Sequence, residues 1–415
     1  MNVAGTSYRQ LLKYYARRIL RIITHGELPG RLEARLYYLR YRIREAISRW
    51  AILQTEQRRK GAQTVFIYLE NAIQDRYLFQ LISFFVYAGC SVFFITHKPK
   101  TQFANLEYAR LVYTFRNFTI VSDALPDSTK GILCTDSRNS ALLARNWKKI
   151  LFLNPDISAD RKDHEGALMM PYPMHPIIYK RKQHERLGRF RENERCVTIL
   201  FSGNYGEGYV HSILPDQFGK ISRPEIMALL LASGIAHVVN TREEIDSFVR
   251  RGGYKKVFML VNTKNVYIDQ KNWLDALSKS HFFLAPPGDL RPMCHNIIEA
   301  MAVGAIPITS YPEWFHPPLR HRKNCLVFTD KTDLFQKIEM AMGMDGGDIS
   351  EMRRQVIHYY DHNLSPESFV NSVQSALGGR PELFIQTGNS HYLSKVNSES
   401  VIISRPDENC SDQQS

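Results

Sequence analysis

Two stretches of the sequence combine the residue types that hold an anionic ligand. The first, Ser202-Gly203-Asn204-Tyr205-Gly206-Glu207-Gly208-Tyr209, follows an apolar run that ends at Phe201. Glycines allow close backbone approach, and the free N–H groups of such a loop can face phosphate oxygens. Neither the dinucleotide fingerprint nor a Walker A spacing is met, so a plain surface connection fits Gly203 and Asn204 equally well. The second stretch, Pro287-Gly288-Asp289-Leu290-Arg291-Pro292, joins the apolar run His281 to Pro286 to a helical pattern from Cys294 to Val303 that stops at Gly304. This arrangement puts a helix N-terminus, worth about half a positive charge, at the carboxyl end of a strand, where a diphosphate fits. Arg291 and His295 add charge and donors there. Glu299, the one acid in that apolar helix, lies one turn inward from His295, placed either to accept from ribose hydroxyls or to face solvent.

Proton transfer needs a carboxylate or imidazole at a strand end. Glu70 and Asp75 follow the apolar run Val65 to Leu69, Asp136 follows Cys134-Thr135, and His175 lies in the loop from Pro171 to Pro176. The choice among these four stays open, and an N-cap role suits Asp75 equally. The cysteines at 90, 134, 196, 294, 325 and 410 show no Cys-x-x-Cys pair and no histidine at zinc-finger spacing. No Asp-x-Asp stands at a strand end. Neither a metal site nor a disulfide framework is expected, and a reducing compartment fits best.

The elements that must position these residues alternate. Val65–Leu69, Val92–Ile95, Ile132–Thr135 and Ile150–Leu153 read as strands, with helices over Asp75–Ala88 and Arg138–Trp147. A Pro-rich, then basic crossover runs from Asn154 to Arg195. A second series follows: strand Val197–Phe201, helix Pro224–Ala232, strand Ala236–Val239, a capping box Thr241/Glu244, strand Val257–Val261, helix Trp273–Lys279 and strand His281–Ala285. The Cys294–Val303 helix and strand Ala305–Thr309 close it. Strands alternating with helices predict parallel sheets covered on both faces, hence an α/β chain of two tandem Rossmann-like domains. The predicted boundaries are a basic helical segment at 1–60, a first domain at 61–190, a second at 191–380 and a disordered tail at 381–415. Tyr77 to Thr96 is uncharged over the length of a transmembrane helix, but Gly89-Cys90-Ser91 divides it into a helix and a strand.

Of the formal charge of +13, +10 sits in residues 1–60, which hold twelve Arg and two Lys against four Glu. A near-neutral body with one basic appendage argues against nucleic acid as the main partner. Within the appendage, Leu11, Leu12, Tyr15, Ile19, Ile22 and Ile23 recur at helical spacing, and Leu32, Leu36, Leu39, Ile43 and Ile47 do so beyond Pro29-Gly30. Basic amphipathic helices of this kind either lie on an anionic membrane face or pack on the body. No apolar core precedes a cleavage site near the N-terminus, so a secretory signal is not expected.

From Trp273 to about Ala341, the run Leu277 to Asp289, then Glu299-Ala300-Met301, then Gly304-Ala305-Ile306-Pro307-Ile308 resembles the donor half of exostosin-like glycosyltransferases, members of the two-domain B-type (GT-B) fold. The resemblance implies transfer of a sugar from a nucleotide sugar, with Glu299 on the ribose, the 287–295 turn on the diphosphate, and no bound metal or other cofactor. One position departs: the pattern has Arg three residues before the acid, and here that residue is Asn296. The expected activity is therefore sugar transfer to a glycan or lipid-linked acceptor in surface polysaccharide synthesis, at the cytoplasmic face of a membrane. The alternatives are a non-catalytic nucleotide-sugar-binding or scaffold protein with a degenerate site, or another nucleotide-dependent enzyme such as a sugar epimerase.

Overall fold

The computed structural model of the chain describes residues 39, 63–71, 75–96, 108–121, 131–143, 147–206, 217–251, 256–289, 291–378, 381–385 and 390–405. Apart from residue 39, the basic segment 1–60 lies outside the described residues, as do Leu290 and the glycine loop from Glu207 onward. The chain divides into two compact units, 1–148 and 149–415.

In the first unit, β1 (Thr64–Tyr68), α1 (Asp75–Tyr87), β2 (Ser91–Ile95), β3 (Phe118–Val121), β4 (Ile132–Thr135) and the short α2 (Ser140–Leu143) follow in order. All pairings are parallel, in the order β3-β2-β1-β4. Val65, Phe66 and Ile67 are all buried, because a parallel strand covered on both faces must be apolar along its whole length. Phe66 stacks on Phe93 at 5.3 Å and meets Trp147 at 5.3 Å, closing this core. The uncharged run resolves as expected: α1, then Gly89 at φ 84, the left-handed stop that glycine adopts without strain, then β2. Among the described residues no helix is long and apolar enough to cross a membrane. Of the helix expected over 138–147, the described residues show α2 at Ser140–Leu143, and residues 144–146 lie outside them.

The second unit opens with β5 (Lys149–Asn154), β6 (Leu168–Met169), α3 (Pro176–Lys180) and α4 (Leu187–Arg191). Its six-stranded sheet, with the helices that cover it, is built from β7 (Val197–Gly203), α5 (Arg223–Ser233), β8 (His237–Val239), α6 (Arg242–Arg251), β9 (Phe258–Asn262), α7 (Trp273–Ser278), β10 (Ser280–Ala285), α8 (His295–Ala302), β11 (Ile306–Thr309) and β12 (Leu326–Val327). All its strands are parallel, in the order β12-β11-β10-β7-β9-β8. The capping box forms as expected: Glu244 N donates to Thr241 Oγ1 at 3.2 Å, and Thr241 N donates to Glu244 Oε2 at 3.0 Å. Three helices follow, α9 (Lys331–Gly343), α10 (Gly346–Asn363) and α11 (Pro366–Ala376).

Residues 381–385 and 390–405 correct the expectation of a disordered tail. Here β13 (Glu382–Phe384) pairs in parallel with both β5 and β6, and a short α12 (Ser390–Leu393) follows. Leu383, Phe384 and Ile402 are fully buried, and Val401 N donates to Ala159 O at 2.8 Å. A three-residue strand satisfied by partners some 220 residues upstream carries no local periodicity, which is why the segment reads as tail. Residues 406–415 lie outside the described residues.

Candidate functional site

In the six-stranded sheet the chain runs from β7 out to β8, back to β9, and then places β10 on the other side of β7. The carboxyl ends of β7 and β10 therefore flank a topological switch point, where open α/β sheets form their ligand crevice. The glycine loop leaves β7 there, and the 286–293 turn leaves β10 there.

One side chain absent from the sequence expectations joins the two loops. Arg223, 5% exposed, opens α5 and donates from Nε to Pro287 O at 3.0 Å, from one terminal nitrogen to Asn204 O at 3.2 Å and from the other to Pro286 O at 3.5 Å. Its permanent charge is met by carbonyl dipoles from both strand ends. The available sequence signal is Ser222-Arg223-Pro224, in which Ser222 caps the helix by accepting from Glu225 N.

The glycines do what their positions require. A Cβ on Gly288 would lie 2.5 Å from Arg291 O, closer than any side chain tolerates, and Gly288 N closes the turn on Pro292 O at 2.9 Å. A Cβ on Gly203 would come within 3.1 Å of the Phe201 ring. Asn204 turns the next residues by accepting from Gly206 N at 2.9 Å. Asn296, at the position the resemblance gives to Arg, donates from Nδ2 to Ser202 O at 3.2 Å and so pins α8 to the end of β7. The N-cap of α8, Cys294, supplies no side-chain hydrogen bond, which leaves first-turn N–H groups to other acceptors. The hydroxyls of Ser202, near the end of β7, and Ser310, just after β11, are buried without a hydrogen-bond partner.

Glu299 is 1% exposed, so the solvent-facing option does not hold. Its Oε2 accepts from Trp273 Nε1 at 2.5 Å and its Oε1 from His175 N at 2.7 Å. The carboxylate thus ties α8 to α7 and to the loop before α3. His175 caps α3, its Nδ1 accepting from Ile177 N at 3.3 Å, and its ring meets His295 edge-on at 5.0 Å. Arg291 lies over Tyr172 of the same loop, 6.0 Å from the ring centre. His175, expected in the first domain, therefore belongs to the second unit, beside His295 and Glu299.

The other three base candidates stay in the first unit, which has its own switch point between β1 and β4. Asp136 is saturated: its Oδ1 accepts from Glu70 N at 2.8 Å, and its Oδ2 from Asn71 N at 2.9 Å and Asn71 Nδ2 at 3.0 Å. Asp75 accepts from Tyr108 N at 3.0 Å. Glu70 is exposed, with Oε1 accepting from Ser137 Oγ at 2.6 Å. Among the described residues no group of three or more His, Cys, Asp or Glu is arranged to hold a metal ion, and the five described cysteines are free thiols. Burial pushes the Cys90 thiol up to about 11, so it is not poised as a nucleophile.

No protein-family model matches the chain. No curated protein matches it either. Among solved structures, HepE of Anabaena in complex with UDP and glucose aligns over 76% of this chain and 99% of its own at 9% identity, with a TM-score of 0.38. A glycosyltransferase from Rickettsia africae aligns over 76% and 98% at 10% identity, with a TM-score of 0.40. AviGT4, a glycosyltransferase involved in avilamycin A biosynthesis, aligns over 77% and 98% at 14% identity, with a TM-score of 0.36. At these scores the likeness assigns neither family nor activity.

Proposed function

We propose that the chain is a glycosyltransferase that moves a sugar from a nucleotide sugar to a glycan or lipid-linked acceptor. The observation that carries this reading is the construction at the switch point of the six-stranded sheet. There a glycine loop, a glycine-closed turn and a sparsely capped helix N-terminus converge and are locked together by one buried arginine. The motif resemblance over 273–341 covers the turn and α8 among these elements. In this reading the N–H groups around Gly203, Gly288 and His295, with Arg291, hold the diphosphate, and Asn296 positions α8 rather than binding phosphate. Glu299 offers the ribose the remaining lone pairs of its carboxylate. Transfer also requires a proton to leave the acceptor hydroxyl. Glu70 and His175 are the two candidates for that step: the Asp136 and Asp75 carboxylates serve backbone N–H groups, whereas Glu70 accepts from a hydroxyl, and His175, whose Nδ1 accepts from the Ile177 N–H, has a second ring nitrogen.

Calorimetry with UDP, GDP, CMP and their sugars is expected to show a clear preference for one nucleotide, weakened at least tenfold in Arg291→Ala. Absence of binding by every nucleotide would remove the proposal. Transfer from a labelled donor separates an enzyme from a protein that binds without transfer.

We further propose that the basic segment 1–60 holds the protein on an anionic membrane surface, since each near-surface Lys or Arg contributes about 1 kcal/mol. A chain lacking residues 1–60 should keep its fold but lose binding to phosphatidylserine vesicles. Retained binding would mean that the body, not the segment, meets the lipid.

A further inference from the structure

Lined by none of the residues of either switch point, an open cleft of about 600 Å³ lies in the second unit, within the range of small-molecule sites. Its walls come from the 3-10 turn Arg161–His164, the loop leading into β6, and the C-terminal segment 401–405, with His316 among them. The cations Arg161, Lys162 and Arg405 line it against one acid, Glu165. The exposed ammonium of Lys162 meets no acceptor among the described residues. Arg161 donates to Ile403 O and Ser398 O, and both Arg161 and Arg405 pair with Glu399. These contacts fix the two guanidiniums, yet each carries five N–H groups and retains donors for a ligand.

Of the two histidines that line this cleft, His164 is held in one orientation. His164 Nδ1 donates to Glu382 Oε2 at 2.7 Å, and its ring stands edge-on to Phe384 at 5.0 Å. That leaves Nε2 as the ring nitrogen available to the cleft. Glu382 is held in turn by Asn154 Nδ2 at 3.1 Å, so a β13 residue orients the histidine from behind.

We infer that this cleft binds a phosphorylated sugar, the phosphate held by Lys162, Arg161 and Arg405 and the sugar filling the remaining volume. Fixed guanidinium forks suit a tetrahedral oxyanion, and the ammonium supplies a point charge. The cleft is several times the size of an inorganic phosphate ion, which leaves room beside the phosphate for an organic body. The inference does not depend on the nucleotide site.

Calorimetry on the full chain with glucose 6-phosphate, inorganic phosphate and glucose tests it. The sugar phosphate should bind, inorganic phosphate at least tenfold more weakly, and glucose not at all. The double substitution Lys162→Glu with Arg405→Ala should weaken sugar-phosphate binding at least tenfold without moving the melting temperature. Saturating UDP should leave the affinity unchanged. Equal affinity in the double variant, or competition by UDP, would overturn the assignment, as would failure of the sugar phosphate to bind. Inorganic phosphate binding as tightly as the ester would overturn the sugar part of it.

Discussion

Replacing Arg223 with alanine is expected to destabilise the second unit strongly and to abolish nucleotide binding. Three carbonyl oxygens, those of Asn204, Pro286 and Pro287, lose their donor together. Leaving a buried acceptor unpaired costs about 1–3 kcal/mol. Even with partial hydration of the exposed Asn204, a loss of about 3 kcal/mol or more follows, and in a unit of this size that lowers the melting temperature by about 6–12 °C. Arg223→Lys separates charge from geometry. An ammonium keeps the charge but cannot span both loops as the planar fork does, so stability should recover in part while nucleotide affinity stays at least tenfold down. Scanning calorimetry of the second unit's transition, paired with nucleotide titration, reads both effects. An alanine variant that melts within about 2 °C of the parent would show that the loops hold their places without Arg223, since that shift corresponds to under about 1 kcal/mol.

The reason Arg223 escapes a sequence reading also explains what else does. Strands buried on both faces appear as unbroken apolar runs, so Ile132–Thr135 coincides with β4, and Val197–Phe201 lies within β7, which extends to Gly203. Caps and glycine stops are local chemistry and are equally visible, as at Thr241/Glu244 and Gly89. By contrast β12 and β13 are two and three residues long and exist only through their neighbours. An arginine at a helix start looks like any solvated one, and its burial is decided by carbonyls up to 64 residues away. Glu299 falls between these cases. Its isolation in an apolar helix marks it as special, but its partners, Trp273 and His175, lie 26 and 124 positions upstream. The sequence therefore points to the residue without revealing that it is buried and shared.

That sharing gives the second large effect. Glu299→Gln keeps the shape but has one acceptor oxygen, so its amide N–H₂ must face either the Trp273 indole N–H or the His175 backbone N–H. One buried donor is left unpaired, at about 1–3 kcal/mol. Glu299→Ala frees both donors and opens a cavity beside α7, and its cost should reach about 3–5 kcal/mol. Trp273→Phe removes a single donor and should cost about 1–3 kcal/mol by itself, because one carboxylate oxygen then lacks its partner. In the double variant Trp273→Phe with Glu299→Gln, the amide nitrogen faces the phenyl ring and the oxygen keeps His175 N–H. Its cost should thus fall below the sum of the two single losses, a coupling that urea denaturation of all four chains measures. Strict additivity would mean that the 2.5 Å contact does not hold α7 against α8. The same proteins test the ribose role. If a ribose hydroxyl uses the carboxylate's spare lone pairs, the parent should prefer the ribonucleotide over its 2′-deoxy form, and Glu299→Gln should lose that preference at a temperature where it remains folded. A preference unchanged by the substitution would leave Glu299 as a strut alone, with the ribose held elsewhere along the β10 turn.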